Sequence, residues 1–490
     1  MNYRLVSKII AMVLLIEAAF MTVPVIIGIC DKDTKAELSF IYTILIVCAV
    51  SGLLLLAAGK KEQYSDKGFY EQEGFVATGL SWIALSLTSA LPFMISGEIP
   101  RFADALFETV SGFTTTGASI LTNVEALSRP MLYWRSFSHW LGGMGILVFM
   151  MAVLPAVSKS KNSSDMFLLK AESPGPEVGK ITPHMQSTAM ILYMEYIALT
   201  ILCIIFLLIG KMPFFDAVCL GFGTAGTGGF GIKGDSLASY TPFAQDVTTI
   251  FMMLFGVNFN VYFLLLLKKP KQALRNQELR WYFGFWAIAT AIVYFNIVKE
   301  YGAWNVALRH AAFQTASVMT TTGYATADFD KWSMMAKAAM LILMCIGASA
   351  GSTGGGFKVS RVLLLCKTLR RSVRRALHPS RTASIHMDGR KVSEATVSNV
   401  CSYLIAYVFL IVISVLLISV DNQSVTTTIT AVIACFNSIG PGFDAVGATG
   451  NYAMFSDFSK LVLIADMLLG RLEIFPLLAM LSRSAWDRRL

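Results

Sequence analysis

The chain has 490 residues, of which 55% are hydrophobic and 14% charged, with a formal net charge of +9 and a mean hydropathy of +0.62. A soluble protein of this length carries about a quarter charged residues, so the composition excludes a soluble enzyme and implies an all-α polytopic membrane protein, since hydrocarbon leaves no backbone polar group unpaired. The positive charge is read as Lys and Arg held on cytoplasmic loops rather than as a nucleic-acid surface, and no nucleic-acid partner is expected.

Arg4 and Lys8 precede an apolar run to Cys30 that is too long for a signal-peptide core, so the start of the chain reads as a retained helix. Two helices are expected first, over 5–30 and 38–59, with Lys60, Lys61 and Lys67 marking a cytoplasmic side. A repeated pattern follows. An outer helix over 75–95 leads to a short apolar segment, 102–111, about half the ~20 residues needed to cross a bilayer. The loop SGFTTTGAS (111–119) and a second helix containing WRSFSHWLGGMGILVF (134–149) complete the unit. Lys159, Lys161, Lys170 and Lys180 return the chain to the basic side.

The second unit has helices over 187–209 and 247–267 around a short segment (214–223) and the loop GTGGFGI (226–232). Asp104 and Asp216 each stand 13 residues before a loop glycine, a modest sign of internal repetition. The third unit begins near Trp281, after a connector with five basic residues, and contains a short segment (306–318) and the loop MTTTGYA (319–325). Its second helix (332–346) is interrupted by GASAGSTGGGFK (347–358), and an apolar piece (359–367) precedes a strongly basic stretch (369–391). Non-helical backbone at membrane depth is tolerated only when buried in protein or lining a cavity, so this interruption is a candidate gate. The fourth unit has helices over 397–420 and 461–481 around a short segment (425–436) and NSIGPGF (437–443).

The four loops centre on Gly117, Gly229, Gly323 and Gly440, spaced by 112, 94 and 117 residues. Each short segment fits a re-entrant helix whose C-terminus, carrying partial negative charge, faces the loop and favours a cation there. Backbone carbonyls can replace an ion's water without any side-chain charge, as the four T-V-G-Y-G loops of K⁺ channels do. Glycine permits the conformations that aim successive carbonyls inward. A single TTTG could be mere helix packing; four in matching contexts indicate one pore. Arg471, within the last helix, is costly in a bilayer and should face a partner or water, with Asp466 and Glu473 as possible partners.

Other signals point elsewhere and fail on context. Gly221–Gly226 matches G-x-G-x-x-G without a βαβ unit, and STGGGFK lacks the P-loop ending. The eight cysteines form no C-x-x-C pair and read as small buried hydrophobes. The five histidines show no metal-ligand spacing, and Glu17 and Glu195 read as hydrogen-bonded helix residues, with proton coupling as the alternative. No enzymatic constellation is visible. The alternatives left open are an ion-coupled secondary carrier of a small solute and a membrane-embedded enzyme.

SGFTTTGAS, WLGGMGI, GSTGGGFKVSR, NSIGPGF and GRLEIFPLL together resemble the Trk/Ktr/HKT superfamily of potassium transporters. The ten expected crossings, two of them leading helices, resemble its TrkH-type membrane subunit. The resemblance implies four membrane-helix/pore-loop/membrane-helix repeats in a pseudo-fourfold arrangement around one pore (74–157, 184–268, 278–376 and 396–482), with two extra N-terminal transmembrane helices (1–60). It implies a K⁺ filter at Thr115, Thr116, Gly117 and Ala118; at Thr227, Gly228, Gly229 and Phe230; at Thr321, Thr322, Gly323 and Tyr324; and at Asn437, Ser438, Ile439, Gly440 and Pro441. A serine in place of the first filter glycine accompanies Na⁺ passage in some plant relatives, so Gly117 implies K⁺ selectivity. The implied gate comprises Gly347, Ala348, Ser349, Ala350, Gly351, Ser352, Thr353, Gly354, Gly355 and Gly356 with Arg471. The implied setting is the cell (inner) membrane and its lipid, with both termini cytoplasmic. A homodimer is implied, as is a cytosolic Rossmann-like (TrkA-type) regulatory ring that carries the nucleotide (ATP/ADP or NAD), this chain itself holding no cofactor.

Overall fold

The computed structural model describes residues 1–59, 71–145, 185–378, 384–482 and Trp486. Lys60, Lys61, Lys67, Lys159, Lys161, Lys170, Lys180, His184, Arg381 and the 146–149 end of the first unit's second helix lie outside the described residues. The described chain is helical apart from a two-stranded antiparallel hairpin, β1 (His386–Met387) and β2 (Arg390–Lys391).

The N-terminal pair is α1 (Tyr3–Phe20), continued by α2 (Thr22–Asp31), and α3 (Thr34–Ala58). Asp33 starts α3 by accepting the Ala36 amide, which satisfies one of the unpaired N–H groups at a helix start. Four repeats follow. In the first, α4 (Glu71–Ser96) is the outer helix, α5 (Phe102–Phe113) the short one and α6 (Arg129–Gly143) the second. The second has α7 (Met185–Ile209), α8 (Phe214–Gly226), α9 (Pro242–Phe255) and α10 (Phe259–Leu266). After the connector helix α11 (Pro270–Arg275), the third has α12 (Gln277–Tyr301), α13 (Trp304–Met319), α14 (Met334–Ile346) and α15 (Val359–Leu377). The fourth has α16 (Glu394–Ile418), α17 (Val425–Phe436), α18 (Asp457–Arg471) and α19 (Phe475–Leu481). Among the described residues six helices are long and apolar enough to span a membrane, seven if the bent pair α9–α10 counts as one.

The pattern of exposure is that of a protein solvated by lipid. Leu45 and Leu53 on α3 and Ile205, Phe295, Ile405 and Leu416 on the outer helices are exposed, whereas Thr114, Thr115, Thr116, Thr320, Thr321 and Thr322 are fully buried at the centre. Large apolar side chains on the outside are stable only where the solvent is hydrocarbon.

Three expectations from the sequence are corrected. The expected helix 247–267 is two helices bent by 88°. Asn258 breaks it, its side chain capping α10 at the Asn260 amide, and the 347–358 loop packs into the bend. The expected helix 461–481 breaks at Leu472–Ile474, where Glu473 and Ile474 take positive φ of 57° and 65° and Pro476 starts a new helix. The apolar piece expected at 359–367 continues as helix through Arg370, Arg371, Arg374 and Arg375 to Leu377. The cysteine reading holds only in part: Cys203, Cys219 and Cys435 are buried, but Cys30, Cys48 and Cys366 are exposed.

Candidate functional site

Helices α5, α8, α13 and α17 end in the same way. Thr115, Thr227, Thr321 and Ser438 adopt left-handed backbone with φ of 55°, 53°, 58° and 56°. The amide of the next residue reaches five residues back, Thr116 to Ser111, Gly228 to Gly223, Thr322 to Ser317 and Ile439 to Ala434, at 2.8–2.9 Å. The left-handed residue itself bonds three residues back at 3.1–3.2 Å. This is the Schellman ending, which normally takes glycine at the left-handed position. Holding Thr or Ser there costs about 1 kcal/mol or more per residue and persists only where the surroundings enforce it.

Two residues on, Gly117, Gly229, Gly323 and Gly440 again have positive φ, of 78°, 82°, 85° and 91°. Each abuts the next loop in turn. A Cβ on Gly117 would strike the Gly228 carbonyl oxygen, on Gly229 that of Thr322, and on Gly323 that of Ile439. On Gly440 it would lie 2.7 Å from the Thr116 oxygen. The contacts run first to second to third to fourth and back to first, a closed ring of four loops. Only glycine fits it, both for conformation and for space. Two hydroxyls at the left-handed positions, those of Thr115 and Ser438, are buried without a hydrogen-bond partner among the described residues, and such atoms call for an explanation such as an ion.

The second loop carries Gly228 where the first and third carry Thr116 and Thr322. His139 of α6 accounts for the difference, because its ring occupies the space a Gly228 side chain would need. Its Nδ1 lies 2.7 Å from the Gly112 carbonyl and its Nε2 accepts the Phe230 amide at 3.2 Å. The neutral Nδ1–H tautomer alone satisfies both contacts. Behind the same loops, Arg135 lies 2.7 Å from the Glu108 carboxylate and stacks on Phe230, with its guanidinium 4.0 Å from the ring centre. Glu108 also accepts from the Ser119 hydroxyl and the Ile120 amide. His139 and Arg135 were not singled out in the sequence as neighbours of the loops. The one signal for His139 was the missing side chain at Gly228. Asp104 and Asp216, at a shared offset, each stand in the first turn of their short helix but have different partners: Asp104 pairs with Lys460 at 2.5 Å and Asp216 accepts the Tyr240 hydroxyl at 2.8 Å. Tyr324 and Pro441 belong to the ring's surround, Tyr324 donating to the Leu220 carbonyl and Pro441 packing on Gly323. Ala118 is buried beside Gly117.

The 347–358 segment lies against the third and fourth loops where they leave α13 and α17. The Gly355 amide donates to Thr321 Oγ1 at 2.6 Å, and Gly354 and Gly355 pack on the carbonyls of Thr320 and Asn437. On the other side it enters the α9–α10 bend: Ser349 donates to the Gly256 carbonyl, Thr353 to that of Phe255, and the Phe259 amide to that of Gly351. Ala348 is buried and Ser352 folds back onto Ser349. Gly347, Gly351 and Gly356 supply the positive φ of its turns. Lys358 reaches the Gly354 carbonyl.

Arg471, at the end of α18, donates to the Thr353 carbonyl at 2.9 Å and to those of Gly142 and Gly143 at 2.5 and 2.6 Å. It thereby joins the fourth repeat, the loop and the WLGGMGI stretch of the first. The two acids proposed for it have other partners: Asp466 accepts from Ser414, and Glu473 pairs with Arg361. Glu17 is hydrogen-bonded as expected, to Thr88 and Ser89. Glu195 departs from that expectation, since neither of its buried oxygens has a hydrogen-bond partner among the described residues. Among the described residues no group of His, Cys, Asp and Glu is arranged to hold a metal ion.

The TrkH family model, described as a cation transport protein, matches residues 39–486. The chain is 32% identical over 495 residues to the Trk system potassium uptake protein TrkH of Salmonella typhimurium, covering 99% of this chain and 100% of that one. It is 30% identical to the Trk system potassium uptake protein TrkG of Escherichia coli, covering 99% of each. The crystal structure of the potassium transporter TrkH from Vibrio parahaemolyticus superposes with a TM-score of 0.87 at 29% identity, over 99% of this chain and 100% of that chain. These relatives are named as transport proteins, not enzymes, and the architecture of four repeats around one pore is shared. The chain belongs to the TrkH family of cation transport proteins.

Proposed function

We propose that this chain takes up K⁺ across the cell membrane, the ion shedding its water in the ring formed by the four glycine loops. The observation that carries this reading is the ring itself, with the same strained backbone in four loops and each central glycine against the next loop's carbonyl. The buried hydroxyls of Thr115 and Ser438, without a hydrogen-bond partner among the described residues, add oxygens able to face a cation. The relatives' names supply the ion.

Beneath the ring, residues 347–356 act as the gate, by standing in the path, and Arg471 opposes a cation electrostatically. An inside-negative potential supplies ~2.3 kcal/mol per charge per 100 mV, so inward movement requires no hydrolysis on this chain. The working units are 74–157, 184–268, 278–376 and 396–482, with 1–60 as an accessory pair, in the inner membrane with both termini cytoplasmic. The pore works as a homodimer under a cytosolic TrkA-type ring that carries the regulatory nucleotide; the name "Trk system" borne by the relatives supports such a partner.

The test is growth at low K⁺ of a bacterium stripped of its own potassium uptake. The chain, expressed with a cytosolic partner, should restore growth, and Gly229→Ala should abolish the rescue while still reaching the membrane. Full rescue by Gly229→Ala would remove the loop ring from the ion's path.

A further inference from the structure

The carboxylate of Glu278 belongs to neither the ring nor the segment under it, yet it holds both ends of that segment. Glu278 is the second residue of α12 and is buried, with 4% exposure. Its Oε1 accepts the Ala350 amide at 2.7 Å and the Ser360 amide at 3.1 Å, while Oε2 faces Asn258 Nδ2 at 3.5 Å. One side chain therefore ties together the entering limb of the 347–358 segment, the first turn of the helix that leaves it, and the α9–α10 bend on which it rests. The site also lies at two helix starts, α12 and α15, whose positive ends favour a carboxylate. Bonds from backbone amides to an ionised carboxylate are of the stronger, charge-assisted kind.

The residues just before Glu278 are fastened to the β1–β2 hairpin. Asp388, at its turn, accepts the Gln277 amide at 2.7 Å and the Asn276 side-chain amide at 3.1 Å. Lys367 of α15 lies 2.5 Å from Gln277 Oε1 and 2.7 Å from the His386 carbonyl. An exposed hairpin is thus joined, through Asn276, which caps α12, and Gln277, its first residue, to the carboxylate that grips the segment.

We propose that Glu278 is a positioning residue that latches the 347–358 segment beneath the ring, and that the β1–β2 hairpin is the handle through which a cytosolic partner releases it. This rests on the reading of that segment as the gate. Drawing the hairpin and the start of α12 away removes the acceptor from Ala350 and Ser360 together. The segment then keeps its contacts to the α9–α10 bend, to the third and fourth loops and Arg471, and the packing of Phe357 on Tyr403 and Tyr407. Glutamine at 278 retains one acceptor oxygen without the charge, and alanine retains none.

The experiment measures ⁸⁶Rb⁺ flux into proteoliposomes without any partner protein, together with the rate at which a thiosulfonate reagent modifies a cysteine introduced as Ser352→Cys. Glu278→Ala should raise flux at least roughly tenfold, the effect of losing one charge-assisted bond, and should speed labelling of the segment. Glu278→Gln should fall between it and the wild type, with competition by K⁺ and Na⁺ unchanged in both. Asp388→Ala, an exposed substitution that leaves the core intact, should raise flux by a smaller factor. Folded Glu278→Ala with unchanged or reduced flux, while Arg471→Ala raises flux, overturns the latch and leaves the gate reading standing. Unchanged flux in both variants overturns the gate reading itself. If Glu278→Ala does not fold, unchanged flux in Asp388→Ala overturns the latch.

Discussion

His139 shows how one side chain outside the loops sets their geometry. Its ring fills the place of a Gly228 side chain and bridges the Gly112 carbonyl to the Phe230 amide. Leaving such buried groups unsatisfied costs ~1–3 kcal/mol each. His139→Leu should therefore lower thermal stability and weaken discrimination between K⁺ and Na⁺ in competition experiments. His139→Gln, which offers both a donor and an acceptor, should recover most of both. Equal selectivity in the Leu variant would limit His139 to packing. In the sequence His139 is one of five scattered histidines without metal-ligand spacing, and in the fold it is fully buried and hydrogen-bonded through both ring nitrogens. Its neighbours were hidden because α6 and the second loop are some 90 residues apart, and no local pattern joins them. The four glycines were legible for the opposite reason. Their constraint is backbone conformation and close approach, which the residue type itself records.

At the scale of elements, the short helices were readable from length alone. The expected segment 425–436 coincides with α17, and 214–223 falls three residues short of the end of α8. The second helices were less legible, because their breaks arise from tertiary partners. Asn258 and Gly256 lie in an apolar run that reads as continuous until the 347–358 segment is seen docked into it. In α15 the arginines suggested a connector, yet Arg is a good helix former and the helix runs on. The offsets of five and two make neither Asp466 nor Glu473 an ideal same-helix partner for Arg471, and its guanidinium takes backbone carbonyls from two other repeats. On the proposed gate, Arg471→Ala frees the segment from those repeats and removes a positive charge, and should raise ⁸⁶Rb⁺ flux several-fold without altering ion preference. Unchanged flux in folded protein would separate Arg471 from gating.

At the scale of the molecule, four dissimilar repeats make a ring because each loop presents the same backbone to its neighbour, whatever its side chains. The second and fourth loops read GTGG and NSIG where the first and third read TTTG, and the ring closes through both. What a membrane protein of this kind must conserve energetically is the cage of buried carbonyls, hydroxyls and bridging side chains around the centre. The lipid-facing surface needs only to be apolar. The central claim is that this ring selects and passes K⁺. It is tested most directly by ⁸⁶Rb⁺ uptake into proteoliposomes, with K⁺ and Na⁺ as competitors, comparing wild type with Gly117→Ser. A Cβ at 117 falls on the Gly228 carbonyl, so the ring must open there. Wild-type uptake should be suppressed by K⁺ far more than by Na⁺, and the serine variant should be suppressed by both. Identical competition profiles in the two proteins, each folded and conducting, would contradict the claim.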